Sequence, residues 1–145
     1  MTGENGCALC GLARTDALWA DDRCLVVAAQ VPGVGTICRV VWRDHVREMS
    51  DLGRADRHAL MDVVFGVETA LRRYAQPEKM NLASLGNLVP HLHWHVMPRY
   101  RDDAYFPDSI WANARRETSD GRLLAQDGLQ SALTEILGSR PKPPL

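Results

Sequence analysis

Three of the five histidines in this sequence are the residues best suited to chemistry: His91, His93 and His95 alternate with apolar residues in the stretch HLHWHVMPR. Alternate side chains of a β-strand share one face, and their Cα atoms lie roughly 6.6 Å apart, or roughly 13 Å for the outer pair. Zinc–nitrogen bonds are only about 2.0–2.1 Å long. All three imidazoles on one metal ion are therefore disfavoured, whereas neighbouring imidazoles can approach one phosphate together. A polar, solvent-exposed strand face is the alternative.

Cys7 and Cys10 form a second candidate site, because Cys-x-x-Cys is a spacing at which two thiolates bind zinc. Reduced thiols or a redox couple are the alternatives, but the sequence lacks the strand–CxxC–helix context of thioredoxin-like proteins, so zinc is favoured. Cys24 and Cys38 lie in apolar runs and are interpreted as small buried core residues.

The elements that must position these residues are strands and two helices. DALWADDRCLVVAAQ and TICRVVW predict three strands joined by short turns, an arrangement that favours antiparallel pairing. MNLASLG and HLHWHVMPRY predict two more. Apolar spacings of three and four residues predict a helix between Gly53 and Gln76, capped by Ser50 or Asp51, and a second helix over about 122–137. The predicted core-facing helix positions are Leu60, Val64, Val67, Leu71, Tyr74, Leu123, Leu129, Leu133 and Leu137.

Length, composition and charge restrict the class of protein. With 145 residues, 46% of them hydrophobic and 24% charged, residues 1–145 are predicted to form a single globular domain with a flexible tail at 139–145. The formal net charge of −1 argues against nucleic acid or a membrane as a partner. No apolar run reaches transmembrane length and no secretory signal pattern is present, so we expect a cytoplasmic protein.

The sequence resembles the histidine-triad (HIT) family, whose motif is His-φ-His-φ-His-φ-φ, with φ an apolar residue. HLHWHVM matches this motif, and Cys7-x-x-Cys10, the WRDHV segment with His45, the Gly86-Asn87 step and Trp111 follow in HIT-like order. The resemblance covers about 7–111. It implies an α+β fold with a five-stranded antiparallel sheet, one long helix and a C-terminal helix, and a homodimer whose sheets join.

The function that this resemblance implies is that of a nucleotide hydrolase or nucleotidyl transferase. Such an enzyme cleaves at the α-phosphate of a nucleoside phosphate or a dinucleoside polyphosphate, for example a diadenosine polyphosphate. His93 would attack phosphorus as a neutral imidazole and form a covalent nucleotidyl-histidine. His95 would hydrogen-bond the phosphate region and help protonate the leaving group. The substrate-binding residues carried over are Asn81, Gly86, Asn87 and Trp111, for which turn or core roles are the alternatives.

A structural zinc site is also implied by the resemblance. Some HIT relatives, and the related galactose-1-phosphate uridylyltransferases, use the first triad histidine as a zinc ligand. Carried over to this sequence, the ligands are Cys7, Cys10, His45 and His91. The ion would attach the N-terminal segment, residues 1–12, to the sheet.

The match to the family pattern fails at three positions. Ile37 stands where HIT enzymes usually carry a further histidine, Leu88 where a hydroxyl residue is common, and Ala29 or Gln30 where an acidic residue often binds the ribose. Arg39 or Gln30 are candidates for compensating contacts. Two alternatives therefore stay open: a nucleotide-binding regulatory module with little turnover, and a zinc hydrolase that uses the triad as metal ligands.

Overall fold

A five-stranded antiparallel sheet forms the centre of the fold, in a computed structural model that describes residues 6–118 and 121–138. The strands are β1 (Trp19–Ala20), β2 (Cys24–Val31), β3 (Gly35–Trp42), β4 (Lys79–Ala83) and β5 (His93–Arg99). Their order across the sheet is β1-β2-β3-β5-β4, and every neighbouring pair is antiparallel. With the two helices described next, this architecture confirms the predicted α+β fold class.

Two helices, α1 (Arg54–Ala75) and α2 (Gln126–Leu137), pack against each other and cover one face of the sheet. The helices contribute Leu60, Val64, Val67, Leu71, Leu129 and Leu133 to the main core, all of them fully buried. The apolar residues of the triad stretch face the same core: Leu92, Trp94 and Val96 pack there. The opposite face of the sheet is therefore the one on which His93 and His95 lie.

The start of α1 differs from the prediction, because Gly53 occupies the N-cap position and makes no side-chain cap. The carboxylate of Asp51 is engaged one turn earlier, where it accepts a hydrogen bond from the N–H of Glu48 at 2.9 Å. Tyr74 also differs: it is 38% exposed, and its hydroxyl donates to the carbonyl of Ala125 at the start of α2. The prediction that the helix ends before Pro77 is confirmed.

The second helix begins at Gln126, four residues later than predicted. Its predicted first residue, Arg122, pairs with the sheet instead. Arg122 forms a parallel bridge with Gly35 at the start of β3, and its carbonyl accepts from the N–H of Thr36 at 3.0 Å. Gly35 has a φ of +112°, and a Cβ there would overlap the backbone of Arg122, so the close approach requires glycine. Leu123, predicted to face the core, is 62% exposed.

Two further predictions can be compared with the structure. Cys24 and Cys38 are fully buried in the core, and burial is the main cause that raises the pKa of each thiol to about 12, as expected for inert core residues. The predicted flexible tail, 139–145, and residues 1–5 of the predicted zinc segment lie outside the described residues. Neither of the helices in the ranges 6–118 and 121–138 has the length and apolarity needed to cross a membrane.

Candidate functional site

His93 lies at the first position of β5, and its backbone neighbour fixes which ring nitrogen carries the proton. Its Nδ1–H donates a hydrogen bond of 2.6 Å to the carbonyl oxygen of His91. A neutral imidazole with its proton on Nδ1 has its lone pair on Nε2. The ring lines a surface cavity and is 8% exposed. The His93 ring at the cavity therefore has Nδ1 engaged by the backbone and an Nε2 that can carry the lone pair.

His95 lies two residues further along β5, with its ring 5.0 Å from that of His93 and nearly perpendicular to it. Burial first, and then repulsion by His93 and Arg39, lowers the pKa of His95 to about 4. Its Nδ1 is buried and has no hydrogen-bond partner among the described residues. His95 is therefore neutral at pH 7, and it offers one N–H donor and one lone pair.

The cavity beside these imidazoles has a volume of about 390 Å³. Its wall is formed by the loop before β5, by Trp111 and by β3. The lining residues are Arg39, Leu85, Gly86, Asn87, Leu88, Val89, His93, His95 and Trp111. The volume is within the range of small-molecule sites, and the mixture of apolar walls with a few polar groups is typical of them.

Three of the four predicted substrate-binding residues lie at this cavity. Gly86 has a φ of +72°, a conformation that glycine adopts without strain, and Asn87 follows it in the same loop. Trp111 is 49% exposed, and its ring centroid lies 5.0 Å from that of His95. These three residues line the cavity together with His93 and His95.

Asn81, the fourth, is placed differently. It lies on β4, opposite Met97 of β5, and is not among the residues that line the cavity. Its Oδ1 accepts a hydrogen bond of 2.8 Å from Arg99. Arg99 also forms a buried, bidentate ion pair with Asp103. Asn81 therefore supports an ion pair outside the cavity, and the sequence analysis did not single out that pair.

The positions at which the sequence departs from the HIT pattern have different surroundings. Ile37 is 1% exposed and packs against Met97 and Val34 in a small apolar cluster, so no polar group takes the place of the further histidine there. Leu88 is 98% exposed at the cavity rim. Of the two candidates for compensating contacts, Gln30 accepts a hydrogen bond from Thr36, whereas Arg39 lines the cavity.

A separate cluster contains the four predicted metal ligands: Cys7, Cys10, His45 and His91, whose donor atoms all lie within 4.8 Å of one another. The Sγ of Cys10 lies 3.2 Å from Nδ1 of His45 and 3.4 Å from Nδ1 of His91. Ligand atoms around a tetrahedral zinc ion are separated by roughly 3.3–3.8 Å, as follows from the Zn–N and Zn–S bond lengths. Two thiols and two imidazoles at these distances form a Cys₂His₂ set that can bind zinc.

His91 connects this cluster with the cavity. It lies two residues before the start of β5 and is not part of the strand. The chain turns at Pro90, and the N–H of His91 donates to the carbonyl of Val89. Its Nδ1 points into the cysteine cluster, its Nε2–H donates to the carbonyl of Trp42 at 2.5 Å, and its own carbonyl accepts from His93. A backbone carbonyl that fixes a metal-binding imidazole in this way is common around metal ions.

The comparisons with known proteins agree with this arrangement. The model of the HIT domain matches residues 12–102. A histidine triad protein (blr8122) from Bradyrhizobium japonicum is 25% identical with a TM-score of 0.67, covering 83% of this chain and 88% of its own. A histidine triad protein from Marinobacter aquaeolei VT8 is 22% identical with the same TM-score, covering 84% and 92%.

A Zn-bound histidine triad family protein from Mycobacterium smegmatis is 19% identical, with a TM-score of 0.63, and the similarity covers 92% of this chain and 97% of that protein. No curated protein sequence matches the chain significantly. The HIT domain model nevertheless matches well over half of the sequence, and the fold places His93 and His95 of the matched range at one cavity. The chain belongs to the HIT family.

Proposed function

We propose that this protein is a nucleotide hydrolase or nucleotidyl transferase that cleaves at the α-phosphate of a nucleoside phosphate or dinucleoside polyphosphate. HIT proteins are generally nucleotide hydrolases and transferases, and a structurally similar protein from Sulfolobus tokodaii is described as a hypothetical histidine triad nucleotide-binding protein. The observation that carries the proposal is the hydrogen bond from Nδ1 of His93 to the carbonyl of His91. It leaves the Nε2 lone pair for attack inside a cavity.

In the first step, Nε2 of His93 attacks the α-phosphorus, and the bond between phosphorus and the leaving group breaks with its electron pair on the leaving group. The nucleotidyl-imidazole carries a positive charge, and the carbonyl of His91 accepts from its Nδ1–H and stabilises that charge. In the second step, water attacks phosphorus and the P–N bond breaks. The products are a nucleoside monophosphate, neutral His93 and a proton, which the attacking water releases to solvent; a transferase would use another acceptor in place of water.

His95 contributes as a hydrogen-bonding group in this scheme. Because it is neutral at pH 7, it approaches the phosphate without charge and offers an N–H to an oxygen of the phosphate or of the leaving group. A leaving group that departs as a phosphate needs little protonation, whereas the nitrogen of a phosphoramidate needs a proton from this group or from water. The loop with Gly86 and Asn87 and the ring of Trp111 would hold the substrate on either side.

The Cys₂His₂ cluster is proposed to hold a structural zinc ion, with Cys7, Cys10, His45 and His91 as ligands. The bound ion would cross-link the N-terminal segment to the start of β5. His93 is not a member of this cluster, and its Nδ1 is already engaged by a carbonyl. These facts favour covalent catalysis over a zinc hydrolase that uses the triad as ligands.

The experiment that tests the proposal is rapid quenching of the protein during turnover of diadenosine triphosphate and of adenosine 5′-phosphoramidate. Mass spectrometry of peptides should reveal a nucleotidyl group on His93. His93→Ala should abolish turnover and the adduct while leaving nucleotide binding in place. Nucleotide binding by the wild-type protein with no adduct and no turnover would instead support the regulatory module, which the buried Ile37 and exposed Leu88 favour.

A homodimer and a cytoplasmic location also belong to this proposal. β4 is a five-residue strand at one edge of the sheet, where β5 is its one neighbour within the described residues, so its outer side can pair with a second copy. Light scattering after size-exclusion chromatography should give twice the mass of the chain. A monomer at micromolar concentration would contradict the predicted joining of two sheets.

A further inference from the structure

Arg39 lies at the floor of the cavity, directly across from one of the catalytic candidates. It is a residue of β3, and its Cα partner on β5 is His95. Cross-strand partners in an antiparallel pair point to the same face of a sheet, so the arginine and the imidazole share the cavity side. Arg39 lines the cavity together with His93, His95 and Trp111.

The Arg39 side chain lacks a compensating partner. Its Nε is buried without a hydrogen bond, and the side chain makes no ion pair with any residue in the described ranges. Of the three described arginines that are not exposed, Arg14 pairs with Asp22 and Arg99 pairs with Asp103. Arg39 is the third, and no carboxylate is among the residues that line its cavity. A partly buried charge without a protein partner is unfavourable unless a ligand supplies the partner.

The chemistry of the guanidinium group identifies the kind of ligand. Arginine is always charged in proteins, and its planar set of N–H donors matches the oxygens of phosphate and carboxylate groups. The neighbouring His95 is neutral at pH 7, so Arg39 is the permanent positive charge on this wall of the cavity. An anionic group of the substrate is the partner that fits.

We propose that Arg39 is the anion-recognition residue of this cavity and binds a negatively charged oxygen of the substrate's phosphate chain. The inference rests on the proposed function, because it assumes that the cavity receives a nucleotide. The oxygen belongs either to the α-phosphate that His93 attacks or to a further phosphate of the leaving group. Arg39 would thereby supply a polar contact to the substrate in place of the polar residues of the HIT pattern that this sequence lacks.

The binding test compares the wild type with Arg39→Gln, Arg39→Lys and a matched control, Arg73→Gln, which removes an exposed arginine from α1. Calorimetry is performed with AMP, GMP, CMP and UMP and with the corresponding nucleosides. For the nucleotide that binds best, Arg39→Gln should weaken affinity roughly 10- to 100-fold, the range for a lost hydrogen bond to a charged group. Arg39→Lys should lose less, and Arg73→Gln nothing.

Nucleoside binding decides whether the effect is on the anion. Nucleoside affinity should be the same in the wild type and in Arg39→Gln. Equal losses for nucleotide and nucleoside would overturn the proposal, and so would unchanged affinity for the nucleoside monophosphate together with unchanged kcat/KM for diadenosine triphosphate. Circular dichroism checks folding, and Arg39→Met, which keeps the apolar stem of the side chain, is the second variant if the glutamine variant does not fold. A wild-type protein that binds none of the four nucleotides refutes both this inference and the proposed function.

Turnover then separates the two possible sources of the oxygen. An equal loss of kcat/KM for adenosine 5′-phosphoramidate and diadenosine triphosphate places Arg39 at the α-phosphate, and a larger loss for diadenosine triphosphate places it at the leaving group. Both outcomes support anion recognition, whereas unchanged kcat/KM for both substrates contradicts it. If the wild type binds nucleotide through Arg39 but turns over neither substrate, the proposed enzymatic function fails and the role of Arg39 stands.

Discussion

Replacing Asp103 by asparagine should destabilise the protein strongly, because it breaks an ion pair that is closed to solvent. Asp103 accepts from Nε of Arg99 at 2.7 Å and from its Nη2 at 3.0 Å, and the two side chains are 2% and 1% exposed. The carboxylate also accepts from the N–H groups of Tyr105 and Phe106 at 2.9 and 2.8 Å. Removal of one partner from such a pair costs about 3–5 kcal/mol, since the other charge stays buried.

A loss of this size is a large fraction of the about 5–15 kcal/mol by which a domain is usually stable. Asp102→Asn is the matched control, because the neighbouring pair of Asp102 with Arg122 has a similar length of 2.9 Å but side chains that are 73% and 48% exposed. It should lose much less stability than Asp103→Asn, because solvent screens an exposed ion pair. Urea unfolding followed by tryptophan fluorescence measures both variants. Equal losses, or a loss below about 1 kcal/mol for Asp103→Asn, would refute the reasoning from burial.

The same ion pair gives a pH dependence with a definite sign. Burial alone would raise the pKa of Asp103, but the hydrogen bonds from Arg99 and from two backbone N–H groups outweigh it and hold the pKa below its usual value. The folded state therefore binds its proton less tightly than the unfolded state does. The stabilisation is complete above the unfolded pKa of about 3.9 and is lost as the pH falls through the folded pKa. The stability of Asp103→Asn should thus fall less steeply in acid than that of the wild type.

Three other results are expected. Cys10→Ala should release bound zinc, measured by metal analysis, and should lower the midpoint of thermal unfolding. The control variant His93→Ala should keep the metal. Full retention of zinc by Cys10→Ala would exclude the cluster as the metal site. The Cε1 proton of His95 should show no NMR titration between pH 8 and pH 5, since its pKa is about 4, and a titration near the ordinary value of 6.5 would contradict its burial. Ile37→His should cost about 2–4 kcal/mol in urea unfolding without raising turnover, because it places an imidazole in an apolar cluster; unchanged stability would show that a polar partner is available there.

Local sequence patterns predicted the elements that carry the site. The alternation of the triad stretch correctly separated the apolar residues that face the helices from His93 and His95, because a strand has a fixed period of two. The spacing of apolar residues located α1 to within one residue at its C-terminus, since one face of the helix is continuously buried. The Cys-x-x-Cys spacing indicated a zinc site, and the resemblance to HIT relatives added His45 and His91, which the fold brings to the cysteines across as many as 84 residues of sequence.

Other features depended on pairings that local patterns do not contain. Asn81 turns to Arg99 because the register of β4 on β5 brings them close, and a sequence does not reveal that register. The late start of α2 follows from the bridge between Arg122 and Gly35, two residues far apart in the chain. The position of Arg39 opposite His95 likewise appears only once β3 and β5 are paired. In each case a contact between residues far apart in the sequence, and not a local secondary-structure propensity, determined where the side chain lies or where the helix begins.

The three contacts of His91 have a consequence for how chelation experiments are interpreted. Its imidazole belongs to the cysteine cluster, and its carbonyl oxygen accepts a hydrogen bond from Nδ1–H of His93. Removal of a bound ion would leave the His91 side chain with its hydrogen bond to the carbonyl of Trp42 alone, and the carbonyl of His91 could then shift relative to Nδ1 of His93. Under the proposed function, loss of activity on chelation would therefore report on the alignment of His93 and would not by itself indicate that the metal takes part in the reaction.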